Sequence, residues 1–283
     1  MRYATLDVNG SPHVAACGED DRWLLTDGGA GRTLSDLLVL APPERDAALR
    51  PDASRPAPAG ARRLAPLRPA SIVAIGLNYL DHIRETGMER PQRPLVFTKL
   101  RTSVIGPEET IRIPADITEQ VDWEVELAVV IGTTARDVHA GTALDHVFGY
   151  TVANDVSARD LQFADGQWVR AKSLDTFCPL GPVVVTPDEI GDPQSLELRT
   201  RVNGITVQDS STGEMIFGVA ELIAYCSQSF TLLPGDVLLT GTPWGCGEFM
   251  SPQRHLQPGD VVEVEIPQIG VLQNRVVERR PHG

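Results

Sequence analysis

The chain has 283 residues and is short of three things: cysteine, basic charge and long apolar runs. Its four cysteines, Cys17, Cys178, Cys226 and Cys246, are widely scattered and form no C-x-x-C pair. That is the pattern a reducing compartment leaves behind, and it reads as buried or inert thiols. With 25 Lys and Arg against 38 Asp and Glu, the formal charge is -13. Such a balance argues against nucleic acid or an anionic membrane surface as partner, because phosphate binding draws its affinity from basic side chains. No apolar stretch approaches membrane-spanning length. The opening Met1-Arg-Tyr-Ala-Thr-Leu-Asp7 alternates like a strand and does not resemble a secretory signal, so a soluble, cytoplasmic protein is expected. No repeat of fixed period is visible.

What is present is β-rich. Residues 1 to about 45 read as a small module with strands at Tyr3–Val8, His13–Cys17 and Trp23–Leu25 and a short helix at Thr33–Leu40. Ala41–Pro69, dominated by Ala, Pro and Arg, reads as a linker or extended segment. The expected division is therefore an N-terminal module with linker over 1–69 and a main domain over 70–283. The main body opens with the apolar strand Ser71–Gly76 and continues through short β segments, with Asn203-Gly204 marking a two-residue hairpin turn. Helices are expected at Leu80–Thr86 and Val219–Phe230. An irregular β roll or barrel with appended helices, α+β in class, fits better than a βαβ repeat.

Chemistry concentrates in Trp123-Glu-Val-Glu-Leu-Ala-Val-Val-Ile-Gly132. Glu124 and Glu126 are two residues apart in a strand, so both point away from the face of Val125 and Leu127. Paired carboxylates repel, and a cation or shared proton must offset the repulsion. Asp155 ends another short apolar run, with Ser157 to Asp160 reading as a turn behind it. Three anionic oxygen ligands suit Mg2+ or Mn2+, and zinc is disfavoured because neither His nor Cys lies within this group. An isolated E-x-E is usually a pair of surface carboxylates; the apolar surroundings on both sides favour the metal here.

Three further groups accompany the acids. His82 and Glu85 stand at i and i+3 on the expected helix, the arrangement a water-activating base needs, although surface His–Glu pairs are common. Arg159, Gln162 and Lys172 follow the third acid and could bind a substrate carboxylate, or merely balance Asp155, Asp160 and Asp175. Thr240-Gly-Thr242 ends an apolar strand and offers Gly241 and Thr242 as a cradle for an oxyanion or carboxylate, while also being an ordinary strand-ending turn.

Taken jointly these pieces resemble the fumarylacetoacetate hydrolase family. The resemblance is carried by Gly76-Leu-Asn-Tyr79 with His82 and Glu85, Phe97-Thr-Lys99, Asp122 to Gly132, Asn154-Asp-Val-Ser-Ala-Arg-Asp160, Lys172 to Pro182 and Thr240-Gly-Thr-Pro243. It runs from about Ser71 to the C-terminus. It implies a mixed β-sandwich roll, usually a homodimer, with Mg2+ or Mn2+ on Glu124, Glu126 and Asp155. It also implies a His82–Glu85 dyad on a mobile lid, with Lys172 and Thr242 near the substrate. Cys246 departs from the family pattern, and Gly247-Glu-Phe-Met250 matches none. The expected function is hydrolysis of a carbon–carbon bond in an acylpyruvate or related β-diketo or 2-oxo acid through a metal-held enolate. Alternatives are decarboxylation of an oxaloacetate-type 2-oxo acid, an isomerase or hydratase of aromatic catabolism, and a catalytically silent metal-binding relative.

Overall fold

The computed structural model describes residues 1–18 and 21–279. Two sheets make the framework. The larger has twelve strands, ten of them on one path in the order Pro51–Pro56, Trp23–Ala30, Ser11–Cys17, Arg2–Val8, Cys178–Val185, Val147–Asn154, Val125–Ile131, Val237–Leu239, Ile72–Gly76 and Leu95–Lys99. The smaller runs Ile205–Ser211, Glu197–Val202, Val261–Ile266, Gly270–Glu278 and Thr110–Ile113. The N-terminal strands are not a separate sheet, because Arg2–Val8 pairs antiparallel with Cys178–Val185 of the body.

The Val125–Ile131 strand is buried on both faces, which explains its unbroken apolar run. Val125, Leu127, Val129 and Ile131 pack with Leu222 and Ile223 of the Val219–Ser229 helix and with Leu198, Val264 and Leu272 of the smaller sheet. Ala128 and Val130 face the other way, into a layer with Leu34, Leu37 and Leu38. Glu126 shares their parity, so this strand carries its carboxylate on the side away from Val125.

Several local expectations hold. The Leu80–Thr86 helix forms and ends on a left-handed Gly87. The Asn203-Gly204 turn has φ of 54° and 77°, the positive pair that a tight hairpin between Val202 and Ile205 requires. Two do not. Ala41–Pro69 is no loose linker: Pro42–Ala48 is a helix with proline in its first turn, Pro51–Pro56 pairs with Trp23–Ala30, and Arg63–Leu64 pairs with Arg2–Val8. Leu49 and Leu67 are buried there, so long-range packing overrides a composition that reads as extended. The segment after Asp155 is no simple turn either. Ser157–Ala158 pairs with Val121–Asp122, and Arg159–Asp165 is helical, stopped by a left-handed Gly166.

Candidate metal centre and active site

Strand pairing assembles the three acids. Val125 lies opposite Asn154 in the antiparallel ladder. One step further, the Asp155 amide donates to the Glu124 carbonyl at 2.9 Å, and the Glu124 amide donates to Asn154 Oδ1 at 3.0 Å. Glu124, Glu126 and Asp155 are buried, and their ligand oxygens lie within 4.8 Å of one another. The Gly241 amide donates to Glu126 Oε2 at 2.7 Å. Gly241 has a φ of 95° and so suits a residue without a side chain. Its N–H, expected to meet substrate, is spent on orienting this carboxylate.

Three buried cations surround the acids. Lys172 Nζ bridges Glu124 Oε2 at 2.5 Å and Asp155 Oδ2 at 2.8 Å. Lys99 Nζ donates to Asp155 Oδ1 at 2.5 Å and to the carbonyls of Val156 and Lys172. Arg159 places Nη1 2.7 Å from Glu124 Oε1 and donates from Nε to Asp122 Oδ2 at 2.9 Å. Its Nη2 lies 2.8 Å from the same Asp122 oxygen but is not aligned for a hydrogen bond. Arg159 and Lys172 thus do balance carboxylates, and they do so inside the site.

Electrostatics separates the two glutamates. Burial opposes ionisation of Glu124, but the charges of Lys172 and Arg159 outweigh it and hold the carboxyl at about 2. Burial, then the neighbouring Asp155 and Glu124, push Glu126 well above the usual carboxylate range. With Asp122, Glu124, Glu126 and Asp155 all ionised, four buried carboxylates face three buried cations, Lys99, Arg159 and Lys172. One negative charge is left over. The donor set is hard oxygen throughout, and a divalent Mg2+ or Mn2+ would offset the charge that ionising Glu126 leaves over.

The His82–Glu85 pair forms as spaced. His82 Nδ1 lies 2.9 Å from Glu85 Oε2, and Glu85 Oε1 accepts the Gly245 amide at 2.9 Å. Phe249 meets the imidazole edge-on at 5.4 Å, and Ser210 donates to Asp81 on the same helix, tying it to the smaller sheet. A cavity of about 150 Å³ is lined by both His82 of this dyad and Glu124 of the acids. Its polar lining is His82, Glu124, Arg159, Gln162, Lys172 and Thr242, set among Phe97, Phe163, Trp168 and Phe249. Gln162 Oε1 accepts from Arg159 Nη1 at 2.9 Å, one turn along the helix that the sequence did not suggest. Thr242 Oγ1 accepts from Gln208 Nε2 at 3.0 Å, which directs its own proton away from Gln208.

Residue-by-residue reading assigned no role to Lys99, Asp122 or Gln208. Lys99 is a lysine ending an apolar strand, and Asp122 stands next to the E-x-E; a charge in such a setting was the available signal. Gln208 had none, since besides its hairpin neighbour Thr200 its Oε1 accepts from Val125, a partner 83 residues away in sequence.

Residues 71–277 match the family model described as fumarylacetoacetate (FAA) hydrolase, C-terminal. Among curated proteins, the mitochondrial oxaloacetate tautomerase Fahd2a of Rattus norvegicus is 49% identical over 216 residues, 76% of this chain and 69% of that protein. Among solved structures, the fumarylacetoacetate hydrolase of psychrophilic Exiguobacterium antarcticum superposes with a TM-score of 0.88 at 39% identity, covering 99% of this chain and 100% of that one. The 5-carboxymethyl-2-hydroxymuconate delta-isomerase of Mycobacterium smegmatis does so at 0.80 and 38%, with the same coverage. The agreement of sequence model, relatives and fold over most of the chain makes it a member of the fumarylacetoacetate hydrolase family.

Proposed function

We propose that the chain is a Mg2+- or Mn2+-dependent enzyme of small 2-oxo acids, and that its central step is proton transfer between keto and enol forms, as in tautomerisation of oxaloacetate. The supporting observation is the shared cavity: His82 of the dyad and Glu124 of the carboxylate triad, with Lys172 beside it, line one space of about 150 Å³. Pockets for drug-sized ligands run from about 300 to 1,000 Å³, so a substrate of few heavy atoms is favoured. The tautomerase name of the Rattus norvegicus relative suggests the substrate class.

A divalent ion on Glu124, Glu126 and Asp155 would supply Lewis-acid polarisation of the 2-oxo group, making the adjacent carbon acidic. Lys99, Lys172 and Arg159 hold two of those carboxylates in place. Glu85, fixed by the Gly245 amide, engages His82 Nδ1 and leaves Nε2 to take the proton from carbon and return it at oxygen, or the reverse. The Thr242 hydroxyl and the Gln162 amide offer hydrogen bonds to a substrate carboxylate, and the aromatic walls limit water.

Hydrolysis of an acylpyruvate is the second reading, because the same dyad could deprotonate a water molecule. The deciding experiment follows decay of the oxaloacetate enol by its ultraviolet absorbance in excess Mg2+, with pyruvate assayed alongside. Accelerated decay without pyruvate is expected. His82→Ala should slow it by about 100-fold to 10,000-fold, the usual worth of a positioned base. No acceleration, combined with oxygen-18 from water appearing in the acid released from an acylpyruvate, would replace the tautomerase reading with the hydrolase. Pyruvate formed as fast as enol is lost would instead make the chain a decarboxylase.

A further inference from the structure

Cys246 belongs to neither the triad nor the proton-transfer scheme, yet it is buried beside the dyad. The ligand atoms of His82, Glu85 and Cys246 lie within 4.8 Å of one another. We propose that these three side chains form a second metal site, selective for thiolate-seeking divalent ions of the zinc class, whose occupation silences the dyad while the carboxylate triad keeps its own ion.

The donor set carries the argument. One imidazole, one carboxylate and one thiolate, with a fourth position left open, is a zinc-type coordination set and not one for Mg2+, which takes oxygen ligands. Two ligands at about 2.0–2.1 Å from a tetrahedral ion stand about 3.3 Å apart. His82 Nδ1 and Glu85 Oε2 are already 2.9 Å apart, so a small opening of that hydrogen bond admits the ion in place of the shared proton. Glu85 keeps its anchor on the Gly245 amide through the other oxygen. The sulfur is weakly engaged, with Gln208 Nε2 and the Pro243 carbonyl each 3.9 Å away, so little is lost when it turns to a metal. Burial, with the carboxylates of Asp122, Glu124 and Glu85, raises the Cys246 thiol well above its ordinary range against the pull of Arg159, so the metal itself must displace the proton. Coordination releases the thiol proton to solvent, along with any proton on Nδ1, and no electron changes hands. First-row affinities rise toward copper and zinc, so such ions compete here even when Mg2+ is abundant. The inference rests on the dyad's geometry and not on which reaction the dyad serves.

Co2+ serves as the probe, because it absorbs through sulfur-to-metal charge transfer only when a thiolate is bound. Titrated into the Mg2+-saturated protein, it should give one near-ultraviolet charge-transfer band that saturates at one equivalent and is bleached by Zn2+. Cys246→Ser and Cys246→Ala should both abolish the band, keep Mg2+-supported turnover, and weaken Zn2+ inhibition by at least about tenfold, or 1.4 kcal/mol. His82→Ala should weaken Zn2+ affinity in calorimetry, a readout that needs no turnover. Absence of the band from the wild-type protein, or its survival in both Cys246 variants, overturns the proposal. A protein that shows the band but turns over no 2-oxo acid would leave this site standing and sink the tautomerase reading instead.

Discussion

At the scale of single residues, Glu124 and Glu126 were legible because the two-residue period of a strand fixes the direction of a side chain before any fold is known, and Asp155 because it ends a second apolar run. Lys99 was not, since a lysine at the end of a strand normally points to water, and its partner Asp155 lies 56 residues away. Its burial makes it testable. Lys99→Met should cost about 3–5 kcal/mol in denaturant unfolding, the usual effect of breaking a buried ion pair from one side. A loss under about 1 kcal/mol would mean that Lys172 alone suffices. Glu126→Gln should keep the fold and lose Mg2+ or Mn2+ binding in calorimetry, as a neutral amide replaces an anionic ligand. Unchanged affinity would move the ion elsewhere. The pH dependence follows from the raised carboxyl of Glu126. Protonation favours the metal-free fold, so that stabilisation is full below the ordinary 4.5 and is lost as pH rises through the raised value. Glu124, held at about 2, acts oppositely: its contribution is present above 4.5 and lost as pH falls toward 2. Mg2+ needs Glu126 ionised, so the rise in melting temperature that it causes should grow with pH, and Glu126→Gln should remove that growth.

Among the elements, those governed by local signals were readable. The Leu80–Thr86 helix, the Asn203-Gly204 hairpin and the Val219–Ser229 helix all announce themselves through periodicity or turn chemistry. The Arg159–Asp165 helix did not, because its entry is set by the long-range pairing of Ser157–Ala158 with Val121–Asp122. The 242–247 loop makes the corresponding prediction. Gly245 has a φ of 96°, and a Cβ there would meet the Val207 carbonyl oxygen at 2.1 Å. Gly245→Ala must therefore shift the loop and pull its amide from Glu85. Turnover should fall while Mg2+ affinity stays near that of the unaltered protein, since no triad residue lies in the loop. Equal losses in both would show that the loop supports the metal site as well. The helix bearing His82 is tied to the smaller sheet through Ser210 and to the 242–247 loop through Gly245, so dyad geometry depends on elements outside the strand that precedes it.

For the whole molecule, the β-rich class was apparent from many short strands, but the joining of the N-terminal strands to the main sheet was not. Pairing between Arg2–Val8 and Cys178–Val185 leaves no local trace in either segment. Family membership also suggests a homodimer, for which light scattering should give about twice 30.7 kDa at micromolar concentration; a mass near one chain would reject it. The strand order carries a consequence for biosynthesis. Val237–Leu239 sits between Val125–Ile131, which carries Glu126 and follows directly on Glu124, and Ile72–Gly76, which leads into the helix of His82. The strip bearing the dyad and the strip bearing the acids therefore acquire their common neighbour only after the ribosome has delivered residue 239. Until then the nascent chain carries every charged member of the site but lacks the strand that joins its two halves. Completion of the centre is a late event on the folding path, coupled to the closing of the sheet itself.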